Sequence, residues 1–153
     1  MNQVKAYRRI VTGHNGTRAA TIVEDADCPH AHPITGGVVT TEFWSHPGSP
    51  DNAAHYVDPI SSDVVIAPPP GGSVLRIVEF PAHPDVEPYQ HQTASLDYCV
   101  VLEGEIYAIV GTEERLMRAG DVLIQRGTFH SWANRSDEPC RVMFVLIDAP
   151  PLK

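Results

Sequence analysis

The chain has 153 residues, with 11 basic against 19 acidic side chains and a formal net charge of −8. That length buries a core as one domain without disulfide or metal staples. The acidic excess argues against nucleic acid and against anionic membrane surfaces, both of which select basic patches.

In chain order, Met1 to Arg9 is polar and basic with no apolar run behind it, so no signal peptide is read there. No stretch approaches the roughly 20 apolar residues of a membrane helix. Arg8–Thr12 and Ala19–Val23 read as strands flanking His14-Asn15-Gly16, a hairpin turn because Asn-Gly tolerates positive φ. Gly37–Trp44 is a further predicted strand. Pro47 to Ser62 reads as a long loop with room for a short helical turn. Val64–Ile66 reads as a short apolar segment stopped by Pro68-Pro69-Pro70-Gly71-Gly72. Val74–Phe80 mixes apolar and charged residues on both faces, which suits a strand covered on both sides.

The second half is more regular. Tyr98–Leu102, Ile106–Val110, Arg115–Arg118, Val122–Gln125, His130–Asn134 and Val142–Ile147 are predicted strands, with Gly104, Gly111, Gly120 and Gly127 at the turns. No segment keeps a helical period, so a βαβ crossover has nothing to build it. The expectation is an all-β antiparallel sandwich or barrel. Prolines, 14 in all, fall between elements, as in a loop-rich β domain. With no linker or internal repeat, residues 1–62 are expected to pack on a barrel core at 64–148, as one domain over 1–153. The three cysteines, Cys28, Cys99 and Cys140, are odd in number and lack metal-type spacing. A reducing, cytoplasmic setting follows as the default.

Two stretches hold the chemistry. The first runs His91-Gln92-Thr93, then Asp97, then Gly104. The second runs Gly120-Asp121, then Gly127, His130 and Asn134. Together with Val101-Leu102-Glu103-Gly104-Glu105 and Ala119-Gly120-Asp121-Val122, they resemble the two signature motifs of the cupin family. The resemblance covers about Arg76 to Asp148. It implies a double-stranded β-helix, a jelly-roll barrel whose inside holds metal and substrate, and it implies frequent dimers. In the full pattern the first motif supplies two His and a Glu, and the second supplies another His. His91 and His130 match the outer two. Thr93 stands where the second His belongs, and Asp97 stands where the Glu belongs. Asp85 replaces the opening Gly, Gln125 replaces a Pro, and the second motif is one residue short.

Two chemistries stay open on these residues. His91, Asp97 and His130 form a workable ligand set for Fe, Mn, Ni or Zn, with Thr93 a poor ligand and Gln90 and Gln92 no substitute. The same three could act without metal, a carboxylate stabilising the imidazolium of a general base. Around them, Arg76 lies mid-strand. It either snorkels at the sheet edge, the reading favoured from sequence, or reaches the pocket to meet a ligand's carboxylate. Trp132 shares a face with His130 and serves as a pocket wall or as core. Cys99 shares a face with Asp97 and is expected to be an apolar filler at the pocket, since no cation activates it. Asn134 is expected to tie down a turn. His30-Ala31-His32 would place two histidines on one face if extended, as a metal pair needs, but between Pro29 and Pro33 it reads as a loop.

The functional expectation is a small-molecule-binding protein: a metabolic enzyme, such as a metal-dependent oxygenase, isomerase or decarboxylase, acting on a small organic acid or aromatic metabolite. The alternatives are a non-catalytic ligand-binding or sensing protein, and a metal-free degenerate barrel. Apolar residues on both faces of Val74–Phe80 and Val142–Ile147 predict a homodimer.

Overall fold

The computed structural model describes residues 5–84 and 86–152. The expectations for Met1 to Val4 and for Asp85 lie outside them. Eleven strands are formed: β1 (Arg8–His14), β2 (Ala20–Asp27), β3 (Ala31–Pro33), β4 (Val39–His46), β5 (Ser73–Phe80), β6 (Ser95–Glu103), β7 (Glu105–Val110), β8 (Glu113–Arg118), β9 (Val122–Arg126), β10 (His130–Ala133) and β11 (Cys140–Asp148). A single 3-10 turn, Thr35–Gly37, joins β3 to β4. No helix among the described residues is long and apolar enough to cross a membrane.

A six-stranded sheet in the order β3-β4-β5-β11-β6-β9 faces a three-stranded sheet in the order β10-β7-β8. The pairings are antiparallel throughout. This is the all-β antiparallel architecture that the Gly-punctuated runs predict, in the jelly-roll form that the family resemblance implies. Strand alternation divides each strand between an inside and an outside. β11 buries Cys140, Val142, Phe144 and Leu146, and β6 buries Ser95, Asp97, Cys99 and Val101. Ile106, Ala108, Met117 and Trp132 meet them in the core.

The rows across the sheet explain why one end of the interior is polar. Val142 pairs with Val78 and Val101, an apolar row. One step along, Phe144 pairs with Arg76 and Cys99, and Arg76 pairs with Glu42 of β4. The next row sets Leu146 beside Asp97, and Asp97 beside Gln125. Polar residues at inward positions of four strands therefore gather at one end. Gly104 makes the turn from β6 to β7 with φ +76°, and a Cβ there would stand 2.6 Å from the Pro139 carbonyl oxygen. Only glycine fits without a backbone shift.

Val64–Ile66 is loop, ended by the proline run. Two expectations are corrected. The 47–62 loop forms a hydrogen-bonded turn at Asn52–Ala53 and no helix. Ala31–Pro33 is a short strand paired to β4, where the flanking prolines suggest loop. Pro33 ends it at the sheet edge, the place where a missing N–H costs least.

Among the described residues, neither strand of the N-terminal hairpin β1–β2 pairs with a strand of the two larger sheets. Arg9 fastens it. Its Nε and Nη2 donate to Glu24 at 2.6 and 3.0 Å, and Nη2 donates to Asp58 at 2.5 Å. Nη1 donates to the Phe43 carbonyl at 3.2 Å. Tyr56 donates to Glu24 and stacks on Trp44 of β4.

Candidate functional site

His91 and His130 are brought together by the backbone. His91 N donates to His130 O at 3.0 Å, and His130 N donates to His91 O at 2.9 Å. A pair that exchanges both bonds places its side chains on the same side as direct neighbours. The two ring centroids are accordingly 4.3 Å apart. Each ring is then oriented by a carbonyl two residues upstream. His91 Nδ1 meets Tyr89 O at 3.2 Å, and His130 Nδ1 meets Thr128 O at 2.9 Å. A carbonyl only accepts, so both Nδ1 atoms carry the proton in the neutral ring and both Nε2 atoms keep a lone pair. Burial holds the His130 pKa below its usual value, with the Thr128 carbonyl opposing and His91 adding a little. Burial therefore favours the neutral form of the His130 ring.

The carboxylate expected to complete the group stands apart. Asp97 is buried, and its Oδ1 accepts from the Ser95 hydroxyl at 2.5 Å. Desolvation raises its pKa, against the opposing pull of Ser95, His91 and Arg76. No hydrogen bond joins Asp97 to either imidazole among the described residues. Carbonyls, and not a carboxylate, hold these rings. Arg76 is only 6% exposed. The edge reading of this arginine does not hold: its stem lies on the inward face of β5, and the guanidinium meets Glu42, with Nε 3.2 Å from Oε1. Burial lowers the Arg76 pKa and raises that of Glu42, each opposed by the other's charge.

The remaining expected residues sort plainly. Thr93 is buried beside the His pair in sequence, and its carbonyl accepts from Ser95 N at 2.9 Å. Cys99 is fully buried, and desolvation drives its thiol pKa far up, so it is an inert filler. Trp132 packs edge-on against Phe144 at 5.4 Å and against His130 at 6.2 Å, so it is core that also backs the base. Asn134 ties the turn: Nδ2 donates to the carbonyls of Phe80, Pro81 and Glu138, and Oδ1 accepts from Ser136. His30 Nε2 pairs with Asp58 at 2.8 Å, in the hairpin's anchor.

Sequence reading misses Glu42, Ser95 and Gln125. Period-two spacing from Asp97 picks out Ser95. For Glu42 the signal is faint, because the β4 register shifts between Glu42 and Trp44 and blurs the alternation. Two open clefts of about 480 and 420 Å³ flank β9 and the C-terminal segment, but neither is lined by His91, Asp97, His130 or Arg76. They are open surface grooves.

Residues 76–146 match the cupin domain family. Over 94% of its length the chain is 34% identical to the cupin-domain-containing oxidoreductase virC of Hypocrea virens, spanning 77% of that protein. The chain belongs to the cupin family. A stretch of 85 residues is 45% identical to Oryzines biosynthesis cluster protein J of Aspergillus oryzae, spanning 46% of that relative's own length. Among solved structures, the Schizosaccharomyces pombe Cnp3 cupin domain superposes with TM-score 0.59 at 15% identity, covering 92% of this chain and 87% of that one. This last likeness is one of fold.

Cupins often bind metals, so the donors of this cupin need testing against one. Two Nε2 lone pairs on neighbouring rings, with each Nδ1 held by an oxygen, are what metal-binding histidines present. A third donor is missing from the cluster. Among the described residues, no group of three or more His, Cys, Asp or Glu side chains converges to hold an ion. Thr93 occupies the position that would supply a further imidazole, and Asp97 is turned to Ser95. The side chains of this cupin fit a two-imidazole centre and do not complete the three-ligand set His91, Asp97 and His130.

Proposed function

We propose that this cupin is a metabolic enzyme that moves a proton on a small organic acid or aromatic metabolite bound at the polar end of the barrel. His130 is the base and His91 its partner. The observation that carries the reading is the His91–His130 contact, with both Nδ1 atoms committed to carbonyls and both Nε2 atoms free. Burial favours the neutral form of the His130 ring, which accepts a proton without first losing one. His91 lies against it and shares the charge that forms. The relatives' names, an oxidoreductase and a biosynthesis cluster protein, support a metabolic role. An oxidation would add an external electron acceptor to the same deprotonation.

Phenylpyruvate in D₂O is the direct probe, since it is an aromatic acid with exchangeable hydrogens beside a carbonyl. Metal-stripped protein is expected to speed C–H to C–D exchange, read by NMR, and His130→Gln should return it to the uncatalysed rate. Binding of phenylpyruvate with no accelerated exchange would favour a ligand-binding protein instead. Stoichiometric zinc uptake that His130→Ala abolishes, with exchange seen only in the loaded protein, would favour the metal-dependent reading.

We further propose a homodimer through the outer face of the six-stranded sheet. Tyr98, Val122 and Ile124 lie side by side on β6 and β9, 41%, 60% and 52% exposed, and Val145 and Met143 continue the apolar surface on β11. An uncovered patch of this kind marks an association surface. Light scattering at micromolar concentration should give twice the chain mass, and Ile124→Glu should give the single mass. A single mass for the unaltered chain contradicts the dimer.

A further inference from the structure

Arg76 is among the most buried charged residues described, yet only one of its nitrogens donates a hydrogen bond and its buried Nε has no hydrogen-bond partner. A guanidinium has five N–H donors. Nη2 donates to the Val65 carbonyl at 2.8 Å. Nε lies 3.2 Å from Glu42 Oε1 but is fully buried without a hydrogen bond, because the angle is wrong. Nη1 makes no hydrogen bond among the described residues. Buried polar groups in native proteins are paired as a rule, and an exception asks for a missing partner. The second carboxylate in range is that of Asp97, which acts on Arg76 from the neighbouring row of the sheet. Asp97 in turn lies within electrostatic reach of His91. A path of charged groups thus runs from the idle guanidinium to the imidazole pair.

We propose that Arg76 anchors a carboxylate of the small molecule held in the barrel, with Glu42 as the counter-charge that keeps the guanidinium in place until the ligand arrives. The inference rests on the reading of the barrel interior as the ligand site. Charge-assisted bonds from a guanidinium to a carboxylate are shorter and stronger than those to a neutral carbonyl, which favours an acid over an amide or ketone at this point. Glu42 and Asp97 bracket the guanidinium, so a second carboxylate on the ligand would meet like charge. The class is therefore a small monocarboxylate, its acid group on Arg76 and its reacting carbon toward His91 and His130.

Isothermal titration of the full chain with benzoate and with benzamide tests this. Benzoate is expected to bind at least tenfold more tightly, and Arg76→Gln should remove the difference. Glu42→Gln should tighten benzoate about tenfold, because it removes the competing charge while leaving the guanidinium, and this outcome is not expected of a merely structural ion pair. Should Arg76→Gln fail to fold, the Glu42→Gln result alone decides. Equal affinity for benzoate and benzamide, or benzoate affinity unmoved or weakened by Glu42→Gln, overturns the anchor. Accelerated deuterium exchange that survives while benzoate ignores both substitutions would sink the anchor alone. Benzoate binding through Arg76 without any exchange would sink the proton-transfer reading and leave the anchor standing.

Discussion

Two arginines in this chain expose almost the same small fraction of their surface and are served in opposite ways. Arg9 is 5% exposed and Arg76 is 6% exposed. Every nitrogen of the Arg9 guanidinium donates, to Glu24, Asp58, Tyr56 or the Phe43 carbonyl. Arg76 donates once. Their charge equilibria follow: hydrogen bonds to Asp58 raise the Arg9 pKa, whereas burial lowers that of Arg76. Arg9 is a rivet between the N-terminal hairpin and the sheet, with nothing left to offer a ligand. Arg76 is held in a low-dielectric interior with donors unspent. Exposure alone does not separate these two arginines, but the tally of satisfied donors does.

The contrast is broken or sharpened first by removing each cation. Arg76→Gln leaves Glu42 buried without its counter-charge, and a cost of about 3 kcal/mol in urea unfolding is expected. Arg9→Gln strands carboxylates that stay partly in water and can rehydrate, so about 1–2 kcal/mol is expected. An Arg9→Gln loss equal to or above that of Arg76→Gln would reverse the order of the two regions. Next comes locality. Arg9→Gln should raise amide exchange in β1 and β2 and leave that of β6 and β11 near its original rate, since the hairpin pairs with neither large sheet. Exchange rising throughout the barrel would show that the hairpin is integral to the core.

The smallest effects lie in the pH dependence, where the two regions carry opposite signs. Desolvation raises the folded pKa of Glu42. Its contribution is complete below the unfolded value near 4.3 and declines as pH rises through the folded value. The hydrogen bond from Arg9 depresses the folded pKa of Asp58. Its contribution is present above the unfolded value near 3.9 and is lost as pH falls through the depressed value. Glu42→Gln should flatten the stability curve on the alkaline side of pH 4, and Asp58→Asn should flatten it on the acid side. Identical curves for the two variants would mean that the regions do not differ in this way.

The fold was readable because its signals are local. Alternation in β6 and β11, and glycines such as Gly104 at a turn that excludes a Cβ, do not depend on distant partners. The His91–His130 contact was readable through motif resemblance, since the two residues lie far apart in sequence and meet only across an isolated bridge. What was not readable is pairwise and long-range. The facing of Arg76 depends on Glu42 lying opposite it, and that depends on a register shift in β4. The setting of Asp97 was hidden for a similar reason: Ser95, two residues away on the same face, donates to its Oδ1. The pairing of His30 is not legible for the same reason, since its partner Asp58 comes from a segment with no periodic signal.

The central claim is that His91 and His130 are a coupled pair whose Nε2 lone pairs do the chemistry. Long-range ¹H–¹⁵N NMR of histidine-labelled protein at pH 7.5 tests it most directly. Both rings should show the Nδ1-protonated tautomer, with both Nε2 signals in the range of an unprotonated nitrogen, and both should shift when phenylpyruvate is added. A protonated Nε2 on His130, or two histidine signals that phenylpyruvate leaves unmoved while it binds elsewhere, would contradict the account.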